Sequence, residues 1–407
     1  MTSRTVIFVN RFFYPDHSAT SQILSDLAFH LAKETHDVAV VTGRWRYDGP
    51  GEALPNDEHI DGVKVHRVWS THFSRATLAG RLFDYLTFYL FASLRVLTLA
   101  RSGCVVVVMT DPPMLSILLA PIVRMRRAYL VNWLQDLFPE VGTALGVTLL
   151  QGWKGRFLKV LRDRSLAASS RCVVLGEIMA ARVQATGMAH DKIAIIANWT
   201  DDATIQPLAR NDNPLRRTWE LGDRFVVGYF GNLGRAHQFD TLLSAAQELR
   251  DRDDFIFLFG GGGHHHSALR AQVDASGDKR FRFLPYQDRA LLATALGAAD
   301  VHWTSLRPEL EGLIVPSKFY GIAAAGRPIV HIGDREGELG RLVARYDCGV
   351  TVAEDDGAGL ARVLASLADH PERCQAMGQR ARAMIDADFS QKASLRQWSE
   401  LIGRIGA

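Results

Sequence analysis

The sequence predicts an α/β protein built from two Rossmann-like, doubly wound parallel-sheet domains that face a cleft. The chain has 407 residues, more than the roughly 250–300 at which a single hydrophobic core stops growing. Strand-length apolar runs alternate with helical patterns, and most runs are continuous, as in parallel sheets covered on both faces. The pattern restarts after a polar segment at 201–223 that carries Pro207 and Pro214, so the domain boundary is expected there.

The first half contains seven candidate strands, at 5–9, 38–42, 63–68, 105–109, 129–133, 172–175 and 192–197. Apolar residues with helical spacing predict helices at 21–32 and 82–100. The second of these is the most apolar helix candidate, but Asp84 and Arg95 lie inside it. A buried or surface-docked helix is therefore expected rather than one that spans a membrane.

The second half repeats the pattern, with strands at 225–230, 255–259, 281–284, 301–304, 329–332 and 349–352. Helices are predicted between them at 241–249, 289–296, 318–325, 338–346 and 357–367. An amphipathic helix at 390–405 follows. The expected domains are 1–200 and 201–388, with 389–407 returning to the first domain.

Composition and charge restrict the class of protein. The formal net charge of +3 is too small to indicate a nucleic-acid partner. Four separated cysteines without a CxxC pair indicate a reducing compartment, without disulfides or structural zinc. The N-terminal apolar run is short and is expected to form the first strand rather than a signal peptide. A cytoplasmic protein is expected.

The segment from Glu309 to Pro328 carries the strongest chemical signal. Pro316, Ser317 and Lys318 precede a block of small residues, and Ser317 is a candidate N-cap for a helix that begins at Lys318. A lysine opposes the dipole at a helix N-terminus, whereas a bound phosphate would use both the lysine and the backbone N–H groups. Glu309 and Glu311 could accept hydrogen bonds from sugar hydroxyls. The alternative is a helix stop with a solvated lysine.

Three further loops follow strands of the second half and are expected to line the cleft, where ligands of such sheets bind. Glycines allow close backbone approach, and Arg235 can bind phosphate oxygens. Three consecutive histidines at 264–266 could bind a metal, although a solvated loop is the more ordinary interpretation. The donor-binding candidates in these loops are Gly231, Asn232, Gly234, Arg235, Gly261, Gly262, Pro285 and Tyr286.

In the first half, Ser18, Ala19 and Thr20 precede the first helix, where Ser18 or Thr20 could cap an anion-binding N-terminus. Asp136 follows a strand and is the best candidate for a catalytic or sugar-orienting carboxylate, although it could equally cap the next helix. Asp111 and Gln135 also follow strands of this half and are candidates for contacting a second substrate, the acceptor of a transferred group.

Several cofactor motifs do not occur. No Asp-x-Asp closes a strand, so the site is expected to work without a metal or other cofactor, with Arg235 and Lys318 in place of the cation. The first strand is not followed by G-x-G-x-x-G, which argues against a nicotinamide enzyme, and no G-x-x-x-x-G-K-[ST] indicates a P-loop.

These motifs, in this order, resemble family 4 glycosyltransferases, which are retaining enzymes of the GT-B fold. The similarity extends over YPDHSATSQILSDLAFHLA, NWLQDLFPE, IIANWTDD, GYFGNLGRAHQFDTLL and VPSKFYGIAAAGRPIV. It is greatest to the bacterial O-antigen and colanic-acid branch, whose members extend polyprenyl-diphosphate-linked sugars. The resemblance implies that Arg235 and Lys318 bind the donor diphosphate, with UDP the first choice, and that Glu309 or Glu311 contacts the donor sugar. It also implies that the loop from Ser18 to Thr20 closes over the phosphate.

The chain departs from the family pattern at three places. Gly321 stands where a second glutamate is common, Ser18-Ala19 replaces a Gly-Gly pair, and Gln135 replaces a histidine associated with the sixth-carbon hydroxyl of the donor. The last difference suggests a 6-deoxy sugar.

Two other functions stay open: a sugar-nucleotide epimerase or hydrolase of the same fold, and a non-catalytic nucleotide-sugar binder. Peripheral contact with an anionic membrane is a further hypothesis. It rests on the mixed basic and apolar segment at 153–164 and on Arg124, Arg126 and Arg127.

Overall fold

The computed structural model describes residues 4–47, 53–73 and 77–406. The chain divides into two compact units, unit 1 comprising Met1–Ala197 and Ser394–Ala407 and unit 2 comprising Asn198–Ala393. The sequence predicts the corresponding boundaries between 200 and 201 and between 388 and 389.

Unit 1 contains an eight-stranded sheet in the order β3-β4-β2-β1-β5-β6-β7-β8. All neighbours are parallel except the edge pair β3 and β4. The strands are β1 Thr5–Val9, β2 Asp37–Gly43, β3 Asp57–Ile60, β4 Val63–Val68, β5 Val105–Met109, β6 Tyr129–Trp133, β7 Arg171–Val174 and β8 Ile193–Ile195.

Six helices of unit 1 connect these strands: α1 Ala19–Lys33, α2 Leu78–Leu99, α3 Leu115–Met125, α4 Glu140–Ala144, α5 Gly152–Ala167 and α6 Glu177–Gln184. Short 3₁₀ turns lie at Thr148–Leu150 and His190–Lys192. One side of α2 and one side of α3 share a single hydrophobic cluster with β1, β2 and β5. These two helices therefore cover the same face of the sheet.

Asp84 lies inside α2 and is fully buried. Its Oδ2 is 3.6 Å from the guanidinium of Arg11, which is itself buried. Its Oδ1 accepts hydrogen bonds from Thr71 Oγ1 at 2.8 Å and from Phe73 N at 3.0 Å. The carboxylate thus joins α2 to the loops after β1 and β4. An apolar helix can contain this charged residue because the charge is paired and hydrogen-bonded.

Unit 2 contains a six-stranded, fully parallel sheet in the order β11-β10-β9-β12-β13-β14. Its core is rich in aromatic side chains from β9, β10 and β12. The strands are β9 Phe225–Asn232, β10 Phe255–Gly262, β11 Phe281–Leu284, β12 Val301–Ser305, β13 Ile329–Ile332 and β14 Gly349–Val352.

The helices of unit 2 are α7 Pro214–Thr218, α8 Asp240–Glu248, α9 His266–Ser276, α10 Leu292–Ala298, α11 Lys318–Ala324, α12 Glu338–Tyr346, α13 Gly357–Asp369 and α14 Pro371–Met384. Short 3₁₀ turns lie at Arg210–Asp212, Arg289–Leu291 and Pro308–Leu310, and a π-helical turn lies at Ile385–Phe389. The chain builds one half of the sheet from β9 to β11, then returns to the centre and adds β12 to β14 on the other side of β9. This order is typical of doubly wound folds.

The last helix, α15 Gln391–Arg404, belongs to unit 1 from Ser394 onward. The ring of Trp398 packs 4.5 Å from that of Trp133, and Ser399 Oγ donates to Glu34 Oε2 at 2.6 Å. The guanidinium of Arg4 donates to the carbonyl of Ile405. Unit 1 is therefore built from two segments of the chain that are distant in sequence.

Candidate functional site

The loops after β9 and β10 meet at the carboxyl edge of the unit 2 sheet. Leu233 N donates to Gly262 O at 2.7 Å. A Cβ on Gly261, whose φ is +132°, would lie 2.4 Å from Gly231 O, and a Cβ on Gly263 would lie 2.3 Å from Asn232 Oδ1. Packing of the end of β10 and its loop against the end of β9 therefore explains these two glycines without a ligand.

Packing does not explain the glycines at 231 and 234. Gly231 has a φ of +119°, which requires glycine, yet a Cβ there would have no neighbour within 4 Å. A Cβ on Gly234 would touch only the Asn232 side chain, at 3.4 Å. The backbone on either side of Leu233 thus borders open space that a ligand could fill.

The side chain of Lys318 lies against the end of β9 and has three hydrogen-bond acceptors. Its Nζ donates to Tyr229 Oη and to Asn232 O, the latter at 3.2 Å, and lies 3.3 Å from His237 Nε2. Nζ also sits 3.9 Å from the centre of the Tyr229 ring, a cation–π contact. The helix start and the β9 loop are joined through this one ammonium group.

Burial changes the acid–base properties of this cluster. It lowers the pKa of Lys318 to about 7. Burial, and then the charge of Lys318, lower the pKa of His237 to about 3, so this histidine is neutral. Burial also raises the pKa of Tyr229, which stays protonated. Lys318 is therefore the group of the cluster whose charge can change near neutral pH.

The helix α11 begins at Lys318, as predicted, but the capping prediction for Ser317 was wrong. Ser317 occupies the N-cap position with helical φ and ψ of −65° and −22°, and its hydroxyl makes no capping hydrogen bond. A side chain in that backbone conformation does not point back at the free N–H groups. Pro316 is buried beside it, and Gly326 follows the helix with a φ of +65°.

The two candidate carboxylates have different environments. Glu309 is exposed, and its Oε1 lies 3.6 Å from the Arg307 guanidinium. Glu311 is buried, and its Oε2 accepts a hydrogen bond from Glu338 N, at the start of α12, at 3.2 Å. A Cβ on Gly337 would lie 2.5 Å from that carboxylate. Glu311 therefore stabilises the N-terminus of α12.

The remaining donor-side candidates lie at the surface of unit 2. Arg235 is exposed on the loop after β9, so its guanidinium is accessible to an anion. Tyr286 is 61% exposed after β11, and its ring carbon would lie 3.1 Å from a Cβ on Gly262. Pro285 precedes it and is also exposed. An exposed ring over a glycine backbone provides a flat surface of the kind that stacks on a base.

The loop before α1 is organised by Asp16, which is not among the site residues predicted from the sequence. Asp16 is buried and accepts hydrogen bonds from Ser18 N at 2.8 Å and Tyr47 N at 2.5 Å. Ser18 is the N-cap residue of α1, but its hydroxyl makes no capping hydrogen bond. Ala19 and Thr20 form the first turn of the helix, so Thr20 does not occupy the cap position.

Asp136 follows β6, and its pKa is raised to about 6 by burial and then by the charge of Asp111. It lines a small cavity together with Asn132, Thr110 and Arg162, with a volume of about 20 Å³, enough for roughly one water molecule. Gln135 is buried, and its N–H donates to Thr110 Oγ1 at 3.2 Å. Asp111, Asp136 and Gln135 thus belong to adjoining strand-end loops.

Tyr229 and His237 are not among the site residues predicted from the sequence. Both occur within the quoted motif GYFGNLGRAHQFDTLL, but nothing local distinguishes a buried strand tyrosine or a loop histidine from core residues. They contact Lys318 from 89 and 81 residues away in the chain.

The two doubly wound parallel-sheet units have the GT-B fold of glycosyltransferases. The chain belongs to the family 4 glycosyltransferases: residues 19–199 match the glycosyl transferase 4-like domain, and residues 212–384 match the glycosyl transferases group 1 domain. The family prediction is confirmed.

Individual relatives agree with this assignment. WbjE of Pseudomonas aeruginosa, named a probable glycosyltransferase, is 26% identical over 313 residues, or 76% of this chain and 77% of its own. WcaI of Escherichia coli strain K12, provisionally named a colanic acid biosynthesis glycosyl transferase, is 27% identical over 39% of this chain and 40% of its own. The crystal structure of Anabaena HepE in complex with UDP and glucose superposes with a TM-score of 0.73, at 15% identity over 98% of this chain and 99% of HepE.

Proposed function

We propose that the protein transfers a hexosyl or N-acetylhexosaminyl group, with retention and without a metal, from a nucleoside diphosphate sugar to a hydroxyl of a glycan or polyprenyl-diphosphate-linked sugar. UDP is the first choice of nucleotide, and bacterial surface polysaccharide is the proposed product class. The observation that carries this proposal is the ammonium of Lys318 at the end of β9, beside the open backbone of Gly231. The UDP in HepE and the colanic-acid name of WcaI agree with it.

In this proposal Lys318 and Arg235 neutralise the diphosphate, and the ring of Tyr286 stacks on the base. The bond between C1 of the sugar and the phosphate oxygen breaks while the acceptor oxygen bonds to C1 from the same face. The acceptor proton passes to the leaving phosphate. Cations aimed at the developing charge supply the electrostatic stabilisation that a metal ion supplies in other transferases.

Ligand-induced thermal stabilisation tests the donor site directly. The protein is heated with UDP, GDP, dTDP or ADP, in EDTA and again with Mg²⁺. A ligand at about 100 times its Kd adds about 2.7 kcal/mol to the free energy of unfolding. We expect one nucleotide to stabilise the wild type in EDTA, Lys318→Ala to lose the effect, and Lys279→Ala, at an exposed lysine of unit 2, to keep it. Stabilisation by none of the four would contradict the proposal.

Product analysis then separates transfer from the other functions. We expect the donor sugar to appear on the acceptor with its anomeric configuration retained, and inversion would contradict the mechanism. Release or epimerisation of the sugar at the same rate without acceptor would instead indicate a hydrolase or epimerase. Because Gln135 replaces the family histidine, we propose a 6-deoxy donor, and equal turnover of the 6-hydroxy analogue would contradict that choice.

A further inference from the structure

The outer surface of α2, α3 and α5 in unit 1 is unusually apolar. Phe88, Ala92 and Val96 of α2 face the sheet in the same cluster as Leu115 and Leu119 of α3. The helix α5 packs beside α3, where Ser165 Oγ donates to Ser116 Oγ at 2.9 Å. The three helices therefore lie next to one another, with α2 and α3 turning their remaining sides outward.

The outward side of α2 is a ridge of leucines spaced four residues apart. Leu82, Leu86, Leu90 and Leu94 are 45–56% exposed, and Phe83 is 57% exposed. The same helix buries Phe88, Ala92 and Val96 on its other side. A surface helix of a globular protein normally has a polar outer face. Because α2 is apolar on both sides, its outer side is expected to contact an apolar partner outside the core of unit 1.

Exposed apolar side chains continue onto the neighbouring helices. They are Leu118 and Met125 of α3 and Trp153, Phe157 and Val160 of α5. In the described part of the chain, these three helices hold ten of the eighteen large hydrophobic side chains that are exposed. Such a concentration is typical of an interaction surface rather than of scattered exposure. These five side chains, the five exposed side chains of α2 and the cations described next are together named the basic apolar face.

The charges that accompany this surface are almost all positive. Exposed cations are Arg124 at the end of α3, Arg126 and Arg127 just after it, and Lys154, Arg156 and Arg164 of α5. The acids within the three helices are Asp84, which is buried beside Arg11, and Asp163, which accepts from Lys159 at 2.9 Å and Arg162 at 2.7 Å. Both carboxylates are thus neutralised by partners within the protein.

We infer that the basic apolar face docks onto an anionic phospholipid bilayer, with the α2 ridge entering the boundary of the acyl chains. Leucines beside arginine and lysine are the composition of helices that lie in the plane of such a surface. A second copy of the chain fits less well, because a two-fold contact would set the same cations against themselves. The inference stands on unit 1 alone, although a polyprenyl-linked acceptor would give the surface its use.

This arrangement differs from a membrane span. Residues Ala79–Leu99 are long and apolar enough to cross a bilayer by length and composition. Asp84, however, is buried against Arg11, and Phe88, Ala92 and Val96 are buried in the core of unit 1. A spanning α2 would have to lose those contacts, whereas an in-plane helix keeps them.

Vesicle flotation of the full chain tests the inference. We expect the wild type to float with phosphatidylcholine vesicles containing 30 mol% phosphatidylglycerol and to float much less with phosphatidylcholine alone. The variant Leu86→Ser/Leu90→Ser/Leu94→Ser should bind at least about tenfold more weakly, since each leucine loses apolar burial. The control Ile195→Ser/Leu291→Ser, at side chains that are 48% and 43% exposed and are not part of the face, should bind like the wild type.

A second readout does not require the leucine variant to fold. Trp153 is 71% exposed, so brominated lipids should quench part of the wild-type fluorescence, and Trp153→Phe should remove that part. A wild type that neither floats nor is quenched would overturn the inference. So would a concentration-dependent dimer that the leucine variant abolishes, because it would assign the face to a second copy. Donor stabilisation by a nucleotide is measured without vesicles and is unaffected by either result.

Discussion

The Nζ atom of Lys318 lies 3.3 Å from Nε2 of His237, and Nδ1 of the same ring lies 2.5 Å from Ser305 O. A carbonyl oxygen can only accept, so Nδ1 carries the proton and Nε2 presents its lone pair to the ammonium. Ser305 ends β12, and His237 follows β9. The histidine therefore positions Lys318 by linking two strand ends.

Replacing His237 by phenylalanine should weaken nucleotide binding while the enzyme remains folded. The change keeps a ring but removes the acceptor, and a hydrogen bond to a charged group is worth about 1.5–3 kcal/mol. We expect the Kd for UDP to rise by about tenfold or more. Isothermal titration measures it, and His264→Phe, at an exposed histidine of the β10 loop, is the matched control. Equal Kd values in all three proteins would mean that His237 does not position the lysine.

Nucleotide affinity should fall as the pH rises through about 7. The pKa of Lys318 is about 7, and an anion binds its ammonium form. Between this pKa and the ordinary value of 10.5, the unfolded chain binds the extra proton, so the lysine makes the ligand-free protein more stable as pH increases. Binding has the opposite sign, because the ligand requires that proton.

We expect Kd to increase by up to about tenfold per pH unit above 7, the limit for one proton. Titrations from pH 6 to 9 check this. Lys318→Arg, whose charge is permanent, should give a flat profile, and a sloping profile in that variant would assign the pH dependence to another group.

Asp136→Asn should stabilise the protein and reduce its turnover. The carboxyl has a folded-state pKa of about 6 against the usual 3.8. Its contribution to stability is therefore complete below pH 3.8 and is lost as the pH rises through 6. Denaturation at pH 8 should show a gain of up to about 3 kcal/mol, with a smaller gain at pH 4.

Turnover by Asp136→Asn should decrease, because the amide cannot act as the catalytic or sugar-orienting carboxylate that the sequence predicts at this position. The comparison variant is Asp111→Asn, which keeps the Asp136 carboxyl group. It should lower the pKa of that carboxyl by removing a neighbouring negative charge. Unchanged turnover in Asp136→Asn would give this residue a purely structural role.

Asp84→Ala should destabilise unit 1 strongly. The substitution leaves Arg11 buried without its carboxylate, which costs about 3–5 kcal/mol. For domains of this size each kcal/mol lowers Tm by about 2–4 °C, so calorimetry should register a loss on the order of 10 °C. Thr98→Ala, at an exposed position of the same helix, should leave Tm nearly unchanged. A Tm loss as small as that of the control would show that the buried pair does not hold α2 in place.

Glu309→Gln and Glu311→Gln should separate sugar contact from helix stabilisation. Glu311 accepts from the first N–H of α12, and a glutamine oxygen can replace it there at a cost of about 1 kcal/mol. We expect Glu311→Gln to change stability more than turnover and Glu309→Gln to change turnover more than stability. Steady-state kinetics and urea denaturation of both variants check this. A larger effect of Glu311→Gln on turnover than on stability would indicate that Glu311 contacts the donor sugar.

The sequence predicts the described strands well because most are continuous apolar runs and others, such as β4, alternate polar and apolar residues. The strand that it does not predict is β3, with the sequence DEHI, an antiparallel edge strand without either pattern. The helices α3, α4, α6, α7, α9 and α14 lie outside the predicted helices. Two reasons are visible: α3 contains Pro121, and α14 is a largely polar helix.

The candidate site was predictable where one segment carries it, as in Pro316-Ser317-Lys318 or Gly231 to Arg235. The partners of Lys318 were not, because Tyr229 and His237 approach it only after β9, β12 and α11 have assembled. The glycines of the β10 loop show the converse. Gly261 is a predicted ligand-binding residue, yet its close approach to Gly231 O accounts for a glycine there, and Gly263 packs in the same way against Asn232.

The return of α15 to unit 1 has a consequence for synthesis on the ribosome. The first 197 residues leave the exit tunnel without the helix that covers Trp133 and reaches Glu34 and Arg4. Unit 2, whose residues are contiguous, can complete its core while unit 1 still exposes that surface. The core of unit 1 can therefore be completed only after all of unit 2 has been synthesised, and a nascent chain that stalls before Ser394 leaves the surface around Trp133 uncovered.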